Sequence, residues 1–98
     1  MTDALRPAAG AITFLTRHGC GLCSTARVDL QALLEERARA GRAPAFVREV
    51  DIASDPALEH RNLDRIPVLS VGDQELPLAT SVRAMRAFLE RTLDGRLA

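Results

Sequence analysis

Thr16-Arg17-His18-Gly19-Cys20-Gly21-Leu22-Cys23 holds both cysteines of the chain. Two residues separate them, so a helix that begins at or near Cys20 sets them one turn apart on one side. That spacing permits a disulfide where the local geometry allows it. Upstream, Ala11-Ile12-Thr13-Phe14-Leu15 is an apolar run with the length of a buried strand. Downstream, apolar residues recur at helical spacing. A dithiol at a strand-to-helix junction is an arrangement in which cysteine serves as a redox nucleophile.

Working outward, the spacing predicts a first strand over roughly Ala11 to Thr16. A first helix follows from about Cys20 or Gly21 to about Ala40. Leu22, Ala26, Leu30, Leu33 and Leu34 would form its buried stripe. Gly41 serves as its C-cap, and Pro44 prevents continuation. Ala45 to Ile52 reads as a second strand with Phe46, Val50 and Ile52 on one face. Asp55-Pro56 is a helix start, with an N-cap carboxylate followed by proline at the first helical position. That short helix runs to about Leu63, with Leu58 facing inward and Leu63 as a second candidate.

Pro67 to Val71 is expected as a third strand, and Gly72-Asp73-Gln74 as a hairpin turn. Glu75-Leu76-Pro77-Leu78 would return as a fourth strand. Pro77 consigns it to the sheet edge, because it cannot donate to a ladder. Thr80 or Ser81 caps the last helix. Its stripe is Val82, Met85, Phe88, Leu89 and Leu93, and Gly95 ends it. The order is βαβαββα, an α/β fold whose first two strands are parallel with a right-handed crossover. No repeat or linker divides the chain, so 1–98 is expected as one domain with residues 1–9 as a loose lead-in.

Composition excludes several classes. A chain of 98 residues with 47% apolar residues can bury one modest core. No apolar run approaches about 18 residues, so no membrane partner is expected. The first residues lack a signal-type apolar segment, which gives a cytoplasmic expectation. Thirteen acidic and thirteen basic residues cancel, which argues against phosphate-driven nucleic-acid binding. All of the basic residues are arginine, so neither a Schiff-base nor a P-loop lysine exists here. Two cysteines with no second His or Cys pair are too few for a zinc site.

The element order, the CxxC and an X-Pro before the third strand resemble the thioredoxin superfamily. The nearer likeness is to glutaredoxins and the small bacterial glutaredoxin-like proteins. Thr16, Arg17, His18-Gly19 and Cys20-Gly21-Leu22-Cys23 stand in the glutaredoxin pattern of Thr, a basic residue, two variable residues and CxxC. Arg65-Ile66-Pro67 matches the element that carries a cis-proline. The resemblance covers roughly residues 11 to 93. It implies a thioredoxin-like sheet in the order 2-1-3-4, flanked by helices. It also implies a cis Ile66–Pro67 bond beside the dithiol.

Three departures shape the expected partner. Glutaredoxins place Gly-Gly after strand four to seat the glutamyl end of glutathione; Pro77-Leu78 stands there instead. The position of thioredoxin's buried Asp is Phe14. Gly21-Leu22 between the cysteines matches neither family.

The expected activity is thiol–disulfide exchange. Cys20, at a helix start, is the candidate nucleophile, and Cys23 the resolving thiol. Arg17 would grip a carboxylate of substrate, or is a solvated loop charge. His18 would tune Cys20 or contact substrate, or is a solvated loop histidine. Ile66 and Pro67 would offer backbone to an extended substrate. No resident cofactor is expected. Glutathione or another low-molecular-weight thiol would act as co-substrate, and a disulfide-containing protein or small thiol as substrate. A reductase or thiol donor would return electrons. The rival readings are an iron–sulfur cluster held between two subunits through Cys20, and a protein-interaction module.

Overall fold

The computed structural model describes residues 10–95; the expected lead-in over 1–9 lies outside them. Strand β1 (Ala11–Thr16) leads through a short loop into helix α1 (Gly21–Arg39). Strand β2 (Phe46–Asp51) follows, then a 3₁₀ turn (Ile52–Ser54) and helix α2 (Pro56–Asn62). Strands β3 (Val68–Val71) and β4 (Gln74–Leu76) precede helix α3 (Val82–Leu93). The sheet order is β2-β1-β3-β4. β1 pairs parallel with β2 and antiparallel with β3, and β3 pairs antiparallel with β4.

β1 is central because its side chains are apolar on both faces. Ile12 and Phe14 point into the larger core, with Leu69, with Ala26, Leu30 and Leu33 of α1, and with Met85, Phe88 and Leu89 of α3. Leu15 joins Ile52 and Val68 in a second core on the other face, against which Leu58 of α2 and Ile66 pack. The successive residues Val68 and Leu69 therefore face opposite cores, as the pleat requires. Burial of these side chains supplies the main drive for the fold.

Caps set the helix starts. Cys20 is the N-cap of α1, Asp55 that of α2 and Ser81 that of α3. Asp55 Oδ1 accepts from the N–H groups of Ala57 and Leu58, with Pro56 at the first helical position. At Gly10 a Cβ would run into the carbonyl oxygen of Pro44, so only glycine lets β2 begin alongside β1.

Several expectations are corrected. Leu22 is 57% exposed, and the buried stripe of α1 is Cys23, Ala26, Leu30, Leu33 and Arg37. Cys23 lies three residues before Ala26 and seven before Leu30, so it continues the stripe that packs on the sheet, and Leu22 falls outside it. Phe46 is 61% exposed because β2 is an edge strand whose first four residues are uncovered. Leu63 is exposed and Asn62 is buried in its stead. Asn62 satisfies itself by donating to the Leu58 carbonyl and accepting from Arg65 Nη1, both at 2.9 Å. β4 stops at Leu76, so Pro77 lies beyond the strand, and Val82 is exposed at the first turn of α3.

Candidate active site

The loop from β1 to α1 positions the dithiol. Cys20 N–H donates to the Arg17 carbonyl at 3.1 Å, which closes a tight turn. Gly19, third in that turn, has φ +81°, a conformation that favours glycine. The chain then enters α1 with Cys20 extended at its N-cap. Cys20 and Cys23 are joined in a disulfide, with Cα atoms 5.2 Å apart. The backbone N–H of Cys23 donates to Sγ of Cys20 at 3.1 Å. Cys20 is half-buried, whereas Cys23 is 0% exposed. A sulfur in the N-cap position stands where the unpaired N–H groups and the positive end of the helix dipole converge.

Arg17 is exposed and forms an ion pair with Glu59 of α2 at 3.4 Å. His18 is exposed, and its backbone N–H donates to Oδ2 of Asp51 at 3.3 Å. Asp51 is thus held between the dithiol loop and its own 3₁₀ turn, where Oδ1 accepts from Ala53 N–H at 2.8 Å. The Ile66–Pro67 bond is cis, and Pro67 is fully buried. The expectation that the Ile66 backbone is free holds only in part. Its N–H donates to the Asn62 carbonyl at 3.2 Å, because the end of α2 runs on to this point. Among the described residues nothing donates to its carbonyl oxygen.

The register ties these parts together. Leu15 pairs with Val68, so one step further along each strand Thr16 lies level with Pro67. The dithiol loop and the Ile66–Pro67 segment therefore emerge at the same end of the sheet, on adjacent strands.

Sequence reasoning missed a polar brace beneath the loop. Thr16 is buried, and its Oγ1 donates to Glu49 Oε2 at 3.0 Å. Arg27 grips the same carboxylate twice, through Nε at 2.9 Å and Nη2 at 2.6 Å. Arg27 lies one turn beyond Cys23, so this fork docks the start of α1 onto β2. The hydrogen bond from Arg27 holds the Glu49 carboxyl below the usual carboxylate range, with Thr16 adding to the effect and partial burial opposing it. Thr16, Arg17, His18, Arg27, Glu49 and Asp51 line a shallow cavity of about 350 Å³ beside the loop. No local pattern announces a pair 22 residues apart in sequence. Leu78 was also missed as a conformational outlier: it has φ +51°. The signal available was its place where a related pattern has glycine.

The fold and this site define a thioredoxin-like α/β protein with a dithiol at the first strand-to-helix junction. The family model described as "Glutaredoxin-like domain (DUF836)" matches residues 11–94. The chain belongs to that glutaredoxin-like family. It is also similar to a solved structure titled as the X-ray structure of Northeast Structural Genomics target protein XcR50 from X. campestris. The two are 33% identical with a TM-score of 0.62, over 81% of this chain and 95% of that one. No curated protein matches.

Proposed function

We propose that this protein is a thiol–disulfide oxidoreductase in which Cys20 attacks and Cys23 resolves. The observation that carries this reading is the N–H of Cys23 aimed at Sγ of a half-exposed Cys20, with Cys23 itself fully buried. In the reduced protein that N–H and the helix start stabilise a thiolate at Cys20. The thiolate attacks one sulfur of a substrate disulfide. A mixed disulfide forms, the substrate bond breaks, and the departing thiolate takes a proton from water. Cys23, deprotonated, then attacks Sγ of Cys20. The Cys20–Cys23 disulfide forms and the second substrate thiol leaves. The substrate gains two electrons and the dithiol loses two, which a thiol donor or reductase returns.

The Ile66 carbonyl offers one hydrogen-bond acceptor to an extended substrate, with Pro67 buried beneath it. Arg17 and His18 rim the site; binding of a substrate carboxylate by Arg17 has to compete with Glu59. Glutathione or another small thiol serves as co-substrate in this reading, and the cytoplasm is the compartment that keeps such a dithiol reduced. No resident metal or cofactor takes part in it.

The test is turnover of bis(2-hydroxyethyl) disulfide by the reduced protein, with glutathione and its reductase against thioredoxin and its reductase as electron donors. Turnover by the parent with either donor, lost in Cys20→Ser, is the expected result. Equal rates in parent and Cys20→Ser would sink the reading.

A further inference from the structure

Leu78 occupies a backbone conformation that its side chain disfavours. Its φ of +51° is the only positive φ of a non-glycine residue among the described residues. Three hydrogen bonds of 2.8 Å hold it there: Leu78 N–H to the Arg65 carbonyl, Ala79 N–H to the Pro67 carbonyl, and Thr80 N–H to the Leu78 carbonyl. The first two run residues 78 and 79 alongside Arg65–Pro67, on the flank of β3 away from β1. Across this end of the sheet the order is therefore dithiol loop, then Ile66–Pro67, then Leu78. Two strand spacings separate the outer pair, roughly 10 Å.

The leucine does not serve the core. It is 55% exposed, while its neighbour Ala79 is 1% exposed and packs in the larger core. Its backbone hydrogen bonds would be made equally by glycine, for which the conformation carries no penalty. What leucine adds at this position is apolar surface beside the Ile66–Pro67 segment. Leu22, 57% exposed between the two cysteines, adds a second apolar side chain at the dithiol.

We propose that Leu78 is a specificity-determining residue that contacts an apolar side chain of an extended polypeptide disulfide lying over Ile66–Pro67. This rests on the thiol–disulfide reading of Cys20 and Cys23. The occupant is a polypeptide because the Ile66 carbonyl, to which nothing donates among the described residues, is open to a backbone N–H. A side chain beside the cysteine of a strand so paired comes within reach of its diagonal neighbours. A small hydrophilic disulfide supplies no such side chain.

The test uses two synthetic peptide homodimers joined through a central cysteine, flanked by leucine in one and by serine in the other. Bis(2-hydroxyethyl) disulfide is the third substrate, and dithiothreitol the reductant throughout. The parent is expected to favour the leucine-flanked peptide by about tenfold in kcat/KM, the scale of one apolar pocket contact. Leu78→Gly is expected to erase that preference while melting no lower than the parent, since glycine suits the backbone. A preference that survives in Leu78→Gly, or a parent with no preference, overturns the inference. A parent that turns over bis(2-hydroxyethyl) disulfide without distinguishing the peptides overturns it alone. A parent inactive on all three substrates overturns the dithiol reading as well.

Discussion

Arg37 and Asp94 face each other in a fork, with Nη1 to Oδ2 at 2.9 Å and Nη2 to Oδ1 at 3.0 Å. Both side chains are about nine-tenths buried. Arg42 adds a longer contact to the same carboxylate at 3.4 Å. The pair ties the last turn of α1 to the C-cap of α3. It lies about 25 Å along the helix from Cys20. It belongs to the scaffold, and its removal should act on stability alone.

Asp94→Asn leaves the Arg37 guanidinium buried beside a neutral amide. Breaking one partner of a buried pair costs about 3–5 kcal/mol. Urea denaturation should show a loss near the lower end of that range, because Arg37 also reaches the Ala43 carbonyl at 3.4 Å. The order in which the two cysteines react should not change. A loss below about 0.5 kcal/mol, the scale of ordinary surface substitutions, would show the pair to be unimportant.

Glu49 should make stability depend on pH. Its folded-state pKa is lowered, chiefly by the hydrogen bond from Arg27. A lowered pKa contributes stability that is present above the unfolded value, about 4.3 for Glu, and lost as pH falls through the lower folded value. Glu75 beside Arg65 and Glu36 beside Arg86 are lowered in the same direction. The parent's Tm should therefore fall as pH drops below about 4.3. Glu49→Gln should have a lower Tm at pH 7 and a shallower acid decline. Parallel profiles for the two proteins would remove Glu49 from the account.

Much of this fold could be read from short-range pattern. The CxxC after an apolar strand, Asp55-Pro56 and the period of Met85, Phe88 and Leu89 each fix a local element. Together they lead to the βαβαββα order. Most of what escaped depends on neighbours far away in sequence. Leu22 and Cys23 both fit a helical stripe, and which of them is covered depends on how α1 packs on the sheet. Phe46 looks like core by its alternation with Val50 and Ile52, yet the first four residues of β2, a strand expected at the edge, are left uncovered. The Thr16–Glu49–Arg27 brace and the Arg37–Asp94 fork are long-range polar contacts built on charged residues, which composition counts as surface. Asn62 replaces Leu63 in the interior because its side chain finds partners within its own turn.

Leu78 should limit the use of glutathione. Glycine at a positive φ would leave bare backbone for a ligand, and leucine puts a side chain there. With glutathione and its reductase as donor, the parent should turn over a glutathionylated peptide slowly. Leu78→Gly should be several-fold faster on that substrate, and should gain up to about 1 kcal/mol of stability from relief of the disfavoured φ. Fast glutathione-dependent turnover by the parent would show that the leucine does not obstruct.

The two thiols of the reduced protein should differ sharply in reactivity. Cys20 is half-buried at the N-cap, receives the Cys23 N–H at 3.1 Å, and follows a loop that carries the exposed Arg17. Cys23 is 0% exposed, one turn inside the helix, and its own N–H is spent on Cys20. The next residues on its face are Ala26, in the apolar core, and Arg27, whose charge is taken by Glu49. Thiolate stabilisation and access, the two conditions for attack, therefore both favour Cys20. Limiting iodoacetamide near pH 7 should alkylate Cys20 at least tenfold faster than Cys23, a ratio of about 1.4 kcal/mol in barrier height. Mass spectrometry of the peptide spanning both residues reads the ratio. Cys23→Ser should accumulate a mixed disulfide on Cys20, because nothing resolves it. Cys20→Ser should trap no substrate, since the remaining thiol is out of reach. Comparable alkylation of the two cysteines, or an adduct trapped on Cys23, would reverse the roles assigned to them.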